Sequence, residues 1–174
     1  MYKTVTITFL MLLSITFFSC KKLTQFEIEY DQTVVIPSSS GLNLPLNIFS
    51  PEVETDAESK FRVNDTRKDL IREILLQELT LTITSPQNGN FDILKSITIY
   101  INADGLSEKK IAWKEDIPQN ASSVLELETI NEDLQEYIKK DEFSIRVNTI
   151  NRQFIDQNHT VNVNSVFWVD AKLI

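Results

Sequence analysis

Apolar and polar residues alternate along most of this chain, a pattern typical of strands with one face in a core and the other in water. In the clearest run Phe26, Ile28 and Tyr30 alternate with acidic residues. Similar runs occupy 42–48, 79–84, 97–101, 109–113, 124–129, 143–147 and 161–173. Because strands with one polar face favour antiparallel sheets, we predict an all-β protein. The expected fold is an antiparallel β-sandwich of about eight strands, immunoglobulin-like in the broad sense but without a Cys–Trp–Cys pattern.

Turn and helix signals separate these runs. The segment 37–41 breaks the first strand, Pro45 places the next strand at a sheet edge, and 103–105 is a hairpin turn. An acidic loop is predicted over 50–59. Two short connecting helices are predicted, one after a cap at 64–66 with its apolar residues at 70, 71, 74 and 75, and one over 131–140.

The N-terminal segment has the features of a secretory signal. Lys3 supplies a positive charge, an apolar run extends from Val5 to Phe18, and Ser19 precedes the only cysteine, Cys20. The run, at about 14 residues, is shorter than the ~20 that a helix needs to cross a bilayer. We therefore predict an exported protein.

The residues Phe17, Phe18, Ser19 and Cys20 resemble the lipobox of bacterial lipoproteins, most closely the Bacteroidota type of outer-membrane lipoprotein. Phe17 and Phe18 depart from the usual aliphatic and small residues of that motif. The resemblance implies that 1–19 are a removed signal peptide, that Cys20 carries the lipid, palmitate included, and that 20–24 are a short tether. Residues 25–174 would then form a single β-sandwich domain. An ordinary cleaved signal followed by a free thiol is the alternative.

The same resemblance implies a location. Lys21 stands where an aspartate typically retains such lipoproteins at the inner membrane, so an outer-membrane location is expected. No acidic run of the kind seen in surface-exposed members follows the cysteine. The periplasmic face is therefore favoured, with surface exposure left open.

Composition excludes several classes of function. The net charge is −8, and without 1–19 it becomes −9, from 16 basic and 25 acidic residues. An acidic protein lacks the basic footprint that nucleic acid requires. One histidine and one cysteine are too few ligands for a zinc or iron–sulfur site, so we predict no metal and no cofactor.

Candidate catalytic residues are weakly supported. His159, the only histidine, follows a polar segment at 156–158, and we predict that it is solvated in a loop. Glu126 and Glu128 are expected to project from one strand face, but acidic rows are more often the wet side of a strand than a catalytic pair. Segment 102–105 resembles the start of a calcium loop, and a hairpin turn explains it equally well. The chain contains no nucleophile elbow and no phosphate loop, so we predict that it is not an enzyme.

Three apolar side chains are candidates for an interface or ligand surface. Val166 and Trp168 are predicted on the polar side of the last strand, and Trp113 on a hairpin arm. Such residues are enriched at interfaces and as platforms for sugars. Alternatively, a helix or loop covers them.

These observations leave three functional hypotheses. The first is a lipid-anchored accessory or adaptor subunit of a cell-envelope assembly, with an outer-membrane or envelope protein as partner. The second is a lipoprotein that presents a carbohydrate- or peptide-binding surface through Trp113 and Trp168, its ligand unknown. The third is a hydrolase that uses paired acids.

Overall fold

The computed structural model describes residues 24–38, 42–43 and 45–172. This part of the chain forms ten strands and two short α-helices. In chain order they are β1 (Gln25–Ile36), β2 (Pro45–Phe49), β3 (Val53–Glu54), α1 (Ala57–Arg62), β4 (Ile71–Ser85), β5 (Leu94–Asn102), β6 (Lys109–Lys114), β7 (Val124–Glu126), β8 (Glu128–Thr129), α2 (Gln135–Ile138), β9 (Glu142–Asn151) and β10 (His159–Ala171). The predicted signal peptide and the lipidation at Cys20 lie outside the described residues and stay predictions.

The strands form two antiparallel sheets. One sheet has four strands in the order β1-β10-β4-β7, and the other has the order β2-β9-β5-β6-β8, with β3 also paired to β9. The two apolar faces pack against each other and leave one outer face on each sheet. The prediction of a mainly β, antiparallel sandwich is confirmed, with ten strands where about eight were expected.

Aromatic side chains connect the two sheets across the core. The Tyr30 ring, on β1, lies edge-on to Phe143, on β9 of the other sheet, with 5.2 Å between ring centroids. It also lies edge-on to Phe167 at 5.9 Å. The Tyr30 hydroxyl donates a 2.7 Å hydrogen bond to the carbonyl oxygen of Thr55, and burial raises the pKa of the phenol above its usual range. The ring is therefore packed and its polar end satisfied.

The helix predicted around residues 70–75 is wrong. That segment begins β4, after a single 3-10 turn at 68–70. The buried residues of β4 include Ile71, Ile74, Leu76 and Leu79, because register shifts against β10 insert extra residues between inward-facing positions. Such bulges break strict alternation and produce a spacing that resembles a helix.

Two other local predictions need correction or refinement. The predicted loop over 50–59 instead contains β3 and the first half of α1. The second predicted helix, 131–140, is reduced to the single turn α2. Its preceding chain is held by Asp133, whose carboxylate accepts 3.0 Å hydrogen bonds from the backbone N–H groups of Ile74 and Gln135.

The predicted hairpin and edge strand are confirmed. β5 and β6 pair in antiparallel fashion around 103–108, and Gly105 adopts a φ of 72°, a left-handed conformation that glycine tolerates best. β2, which begins at Pro45, lies at the end of its sheet. Proline is tolerated there because an edge residue has no ladder bond to donate outwards.

The prediction that His159 is solvated is wrong. His159 opens β10, is only 4% exposed, and pairs in register with Ile36 of β1. Its Nδ1 lies 3.0 Å from the carbonyl oxygen of Gln157. The polar residues before it suggested a loop, but the ring itself packs in the sandwich next to Gly89.

Replacing Gly89 by alanine is expected to lower the free energy of unfolding by about 1–3 kcal/mol, the usual cost of overpacking. An added Cβ would lie 2.8 Å from Cγ2 of Ile83, 3.0 Å from the carbonyl oxygen of Pro86 and 3.1 Å from Cδ2 of His159. Urea denaturation measures the effect. Asn88→Ala, at the exposed neighbouring position, is the control and should change stability by less than about 0.5 kcal/mol. Equal stability of the two variants would contradict this packing.

Candidate functional site

The three predicted surface residues do not form one site. Val166 and Trp168 lie on β10, on the outer face of the four-stranded sheet, while Trp113 lies on β6, on the outer face of the other sheet. All three side chains are half-buried. Because the two outer faces point in opposite directions, the molecule has two candidate surfaces.

The first surface contains a polar row that crosses four strands. Trp113 of β6 is in register with Thr98 of β5, which is in register with Asn148 of β9, and Asn148 is in register with Asn47 of β2. The Asn148 side-chain amide donates a 2.9 Å hydrogen bond to Oδ1 of Asn47. An indole ring, a hydroxyl and two linked amides thus lie in line on one sheet face.

A second row lies beside the first. Tyr100 of β5 is in register with Lys110 on one side and Arg146 on the other, and Arg146 is in register with Phe49. Phe49 is 68% exposed. Residues two apart on a strand share a face, so the rows form one continuous surface. We call it the aromatic–amide face; it comprises Asn47, Phe49, Thr98, Tyr100, Lys110, Trp113, Arg146 and Asn148.

Basic side chains hold the rings of this face. The Lys110 ammonium lies 4.2 Å from the centroid of Trp113, and the Arg146 guanidinium lies 4.0 Å from the centroid of Tyr100. Such cation–π contacts fix one side of each ring. Sequence analysis missed Tyr100 and Arg146, because only the strand order brings them beside Trp113.

The Arg146 guanidinium connects the face to its surroundings. Its Nε donates a 2.8 Å hydrogen bond to Glu108, a second nitrogen pairs with the other oxygen of that carboxylate, and a third donates 2.6 Å to Oδ1 of Asn47. The hydrogen bonds between Arg146 and Glu108 raise the pKa of Arg146 and lower the pKa of Glu108. Arg146 is therefore a fixed cation that positions both a ring and an amide.

The second surface contains an apolar cavity. It has a volume of about 350 Å³ and is lined by Leu75, Leu76, Gln77, Thr129, Ile130, Asn131 and Trp168. We call it the Trp168 cavity. The segment 129–131 borders the indole, and neither helix contributes to the lining. Trp168 is therefore partly covered by a loop and not by a helix.

The prediction that Glu126 and Glu128 project from one strand face is wrong. Glu126 belongs to β7 and the four-stranded sheet, whereas Glu128 belongs to β8 and the other sheet. Leu127, between them, is buried, so the chain crosses from one sheet to the other at this point. The two carboxylates therefore do not share one strand face.

Another depression, of about 520 Å³, lies beside α1. Its lining is mostly charged, with carboxylates such as Glu54 and Glu58 beside Arg62 and Lys68, and Lys68 pairs with Asp141 at 3.1 Å. Within residues 24–38, 42–43 and 45–172 no three histidine, cysteine or carboxylate side chains group so as to hold a metal ion. The same part of the chain includes no helix long and apolar enough to span a membrane.

No protein-family model matches the chain, and no curated protein is similar to it in sequence. Its structural neighbours include β-sandwich carbohydrate-binding modules. A module from Clostridium perfringens in complex with GalNAc-β-1,3-galactose is 10% identical, with a TM-score of 0.33, over 76% of this chain and 94% of that one. A xylan-binding module is 11% identical, with a TM-score of 0.35, over 86% and 99% of the two chains. Turnip yellow mosaic virus is also similar, at 10% identity, a TM-score of 0.27, and 86% and 97% coverage.

Proposed function

We propose that this protein is a non-catalytic, lipid-anchored binding module whose aromatic–amide face binds a carbohydrate. One observation carries the proposal: Trp113 and Tyr100 share an exposed sheet face with the hydrogen-bonded amides of Asn47 and Asn148. The proposal develops the ligand-binding hypothesis from the sequence. It keeps Trp113 in the binding surface and leaves Trp168 out of it.

The two rings supply the apolar part of sugar recognition. A pyranose ring presents C–H groups on its faces, and indole and phenol rings bury these over a large area at little entropic cost. Lys110 and Arg146 occupy one side of Trp113 and Tyr100. A sugar would therefore stack on the opposite side of each ring, which the cation–π contact holds in a fixed orientation.

The amide row supplies the polar part. Sugar hydroxyls both donate and accept hydrogen bonds, and an asparagine amide also does both. Oδ1 of Asn47 accepts hydrogen bonds from Asn148 and Arg146. The amide nitrogen of Asn47 and Oδ1 of Asn148 take no part in these two bonds and could bind sugar hydroxyls. With the hydroxyl of Thr98, the row offers donors and acceptors in register across β2, β9 and β5.

The anchor places this surface in the cell envelope. With lipid at Cys20 and β1 beginning at Gln25, the domain would lie close to an outer membrane, on its periplasmic side. Several acyl chains on one cysteine hold a protein more firmly than a single chain does. Such a module would keep a glycan near the membrane without acting on it.

The test compares the two tryptophans, which are the only two in the chain. Trp113→Ala is expected to weaken glycan binding about 30-fold, since a central aromatic contact is worth roughly 2 kcal/mol. Xylohexaose and GalNAc-β-1,3-galactose are the first probes, followed by a glycan array, with calorimetry as the measurement. In the variant Trp168→Phe, Trp113 is the only tryptophan, and its fluorescence emission should shift when the glycan binds.

Trp168→Ala is the matched control, because it removes the same side chain from the opposite sheet. It should leave glycan affinity within about twofold of the unchanged protein, less than 0.5 kcal/mol. Loss of binding in Trp168→Ala with retention in Trp113→Ala would assign the ligand to the other face. Absence of binding to every glycan on the array would overturn the proposal.

A further inference from the structure

The outer face of the four-stranded sheet carries a concentrated negative charge. Five exposed carboxylates lie there on β1, β4 and β7, around Asn164 and Val166 of the central strand β10. They are Glu27, Glu29, Asp31, Glu78 and Glu126. We call this surface the acidic face.

Within the part of the chain that the structure describes, these carboxylates are outside the ion pairs. None of the five forms an ion pair with another described residue. The nearest basic groups lie at the margin: the Lys60 ammonium donates 2.9 Å to the backbone oxygen of Glu29, and Arg72 pairs with Asp170 at 3.3 Å. Most of the negative charge of the acidic face is therefore not neutralised by an ion pair among the described residues.

The Trp168 cavity opens on this same face. Trp168 is in register with Glu27 on β1 and with Leu75 on β4, and one step along the sheet Val166 is in register with Glu29 and Glu78. An apolar cavity of about 350 Å³ thus opens on a face that carries carboxylates on β1 and β4, the two strands that flank β10. Interfaces commonly combine a desolvated aromatic anchor with surrounding charges that select the partner.

We propose that this outer face docks a basic segment of a partner protein, with an apolar side chain of that segment in the Trp168 cavity. Charge complementarity identifies the occupant, because lysine and arginine side chains on the segment would pair with the acidic face. The proposal goes beyond glycan binding and is independent of it, since it uses the opposite sheet. It gives the adaptor hypothesis a specific surface.

The position of the face limits which surfaces can meet it. β1 begins two residues before Glu27, and the chain from Cys20 to Gln25 can span at most about 18 Å. A lipid at Cys20 would therefore place the Trp168 cavity near the membrane. Anionic lipid would be repelled by these carboxylates, whereas a basic protein segment at the membrane surface would be attracted.

The experiment uses Trp113→Phe, in which Trp168 is the only tryptophan. The probe is a synthetic lysine-rich peptide with one central leucine, and a glutamate-rich peptide of the same length is its counterpart. The lysine peptide is expected to shift the emission of Trp168 and to bind more weakly as salt rises. The glutamate peptide should not bind. The double variant Trp113→Phe with Trp168→Ala has no tryptophan, so its binding is measured by calorimetry. It should bind the lysine peptide at least tenfold more weakly.

A charge-matched pair of variants separates this site from general attraction to an acidic protein. Glu27→Gln with Glu29→Gln and Asp31→Asn should weaken binding of the lysine peptide at least tenfold. The control carries Glu52→Gln, Glu54→Gln and Glu58→Gln, three exposed carboxylates outside the acidic face, and should bind within about twofold of the unchanged protein.

Three results would overturn the proposal. Equal weakening in the two triple variants would mean unspecific charge attraction, and equal binding of both peptides would mean apolar contact alone. Binding to vesicles of phosphatidylethanolamine and phosphatidylglycerol, without binding to the peptide, would identify a membrane surface instead. Glu78→Gln with Glu126→Gln, on β4 and β7, repeats the test on different strands should the β1 variant unfold. Failure here leaves glycan binding at Trp113 untouched.

Discussion

Replacing Phe143 by alanine is expected to lower the free energy of unfolding by about 3–5 kcal/mol, the usual cost of deleting a buried aromatic ring. Phe143 is 2% exposed and lies on β9, with its ring edge-on to Tyr30 of β1. Because β1 and β9 belong to different sheets, the deleted ring is one that joins the two halves of the sandwich. The cavity left behind cannot close unless the sheets move together.

Urea denaturation followed by circular dichroism measures this loss. Phe154→Ala is the matched control, since Phe154 is 63% exposed and its removal should cost less than about 0.5 kcal/mol. Phe143→Leu, which keeps most of the buried volume, should fall between the two. A similar cost for Phe143→Ala and Phe154→Ala would contradict the assignment of Phe143 to the core between the sheets.

The back-to-back packing also explains how one small domain presents two different outer faces. Each strand contributes alternate residues to the core and to one outer face, so the chemistry of that face is independent of the core. β1 places Glu29 outwards and Tyr30 inwards, and β5 places Tyr100 outwards and Ile101 inwards. One surface can therefore become acidic and the other aromatic without a change of fold.

Local alternation was sufficient to predict most of the strands but could not give their order. The runs containing Phe26 and Phe143 are strands as predicted, because a period of two is a property of the local sequence. The position of β10 between β1 and β4 is set by pairing between distant segments. The aromatic–amide face was missed for this reason: Tyr100 and Arg146 are distant in sequence and adjacent only through the β5–β9 register.

The errors in the local predictions have physical causes. Bulges in β4 gave Ile71 and Ile74 a helix-like spacing, although the segment extends along β10. His159 follows a polar segment yet opens a buried strand, because the sheet continues to it through pairing with Ile36. Glu126 and Glu128 separate because the chain changes sheet at Leu127. In each case tertiary pairing determines what the local sequence leaves open.

Replacing Arg146 by alanine is expected to weaken glycan binding by about 2 kcal/mol, or roughly 30-fold, if the aromatic–amide face is the ligand site. The guanidinium contacts the Tyr100 ring and donates to Asn47, so its loss frees a ring and an amide together. Arg146→Lys should restore only part of the affinity, because an ammonium cannot make the two parallel bonds to Glu108. Calorimetry with the glycan that the unchanged protein binds gives both values.

The Glu108–Arg146 pair also predicts how binding depends on pH. The hydrogen bond from Arg146 lowers the pKa of Glu108, so the pair is complete above the ordinary glutamate pKa and is lost as the pH falls through the lower folded value. Affinity should therefore be constant from neutral pH down to the ordinary glutamate range and decrease at lower pH.

Glu108→Gln is the variant that isolates this effect. It should lower affinity at neutral pH and remove most of the decrease in acid, because its side chain no longer titrates. Glu128→Gln changes a carboxylate that is in register with Trp113 but forms no ion pair with another described residue, and it should leave the pH profile unchanged. The opposite result would be a full decrease of affinity in acid for Glu108→Gln and no decrease for Glu128→Gln. The pH dependence of binding would then come from Glu128. Arg146 would in that case be oriented by the Tyr100 ring and Asn47 and not by its ion pair with Glu108.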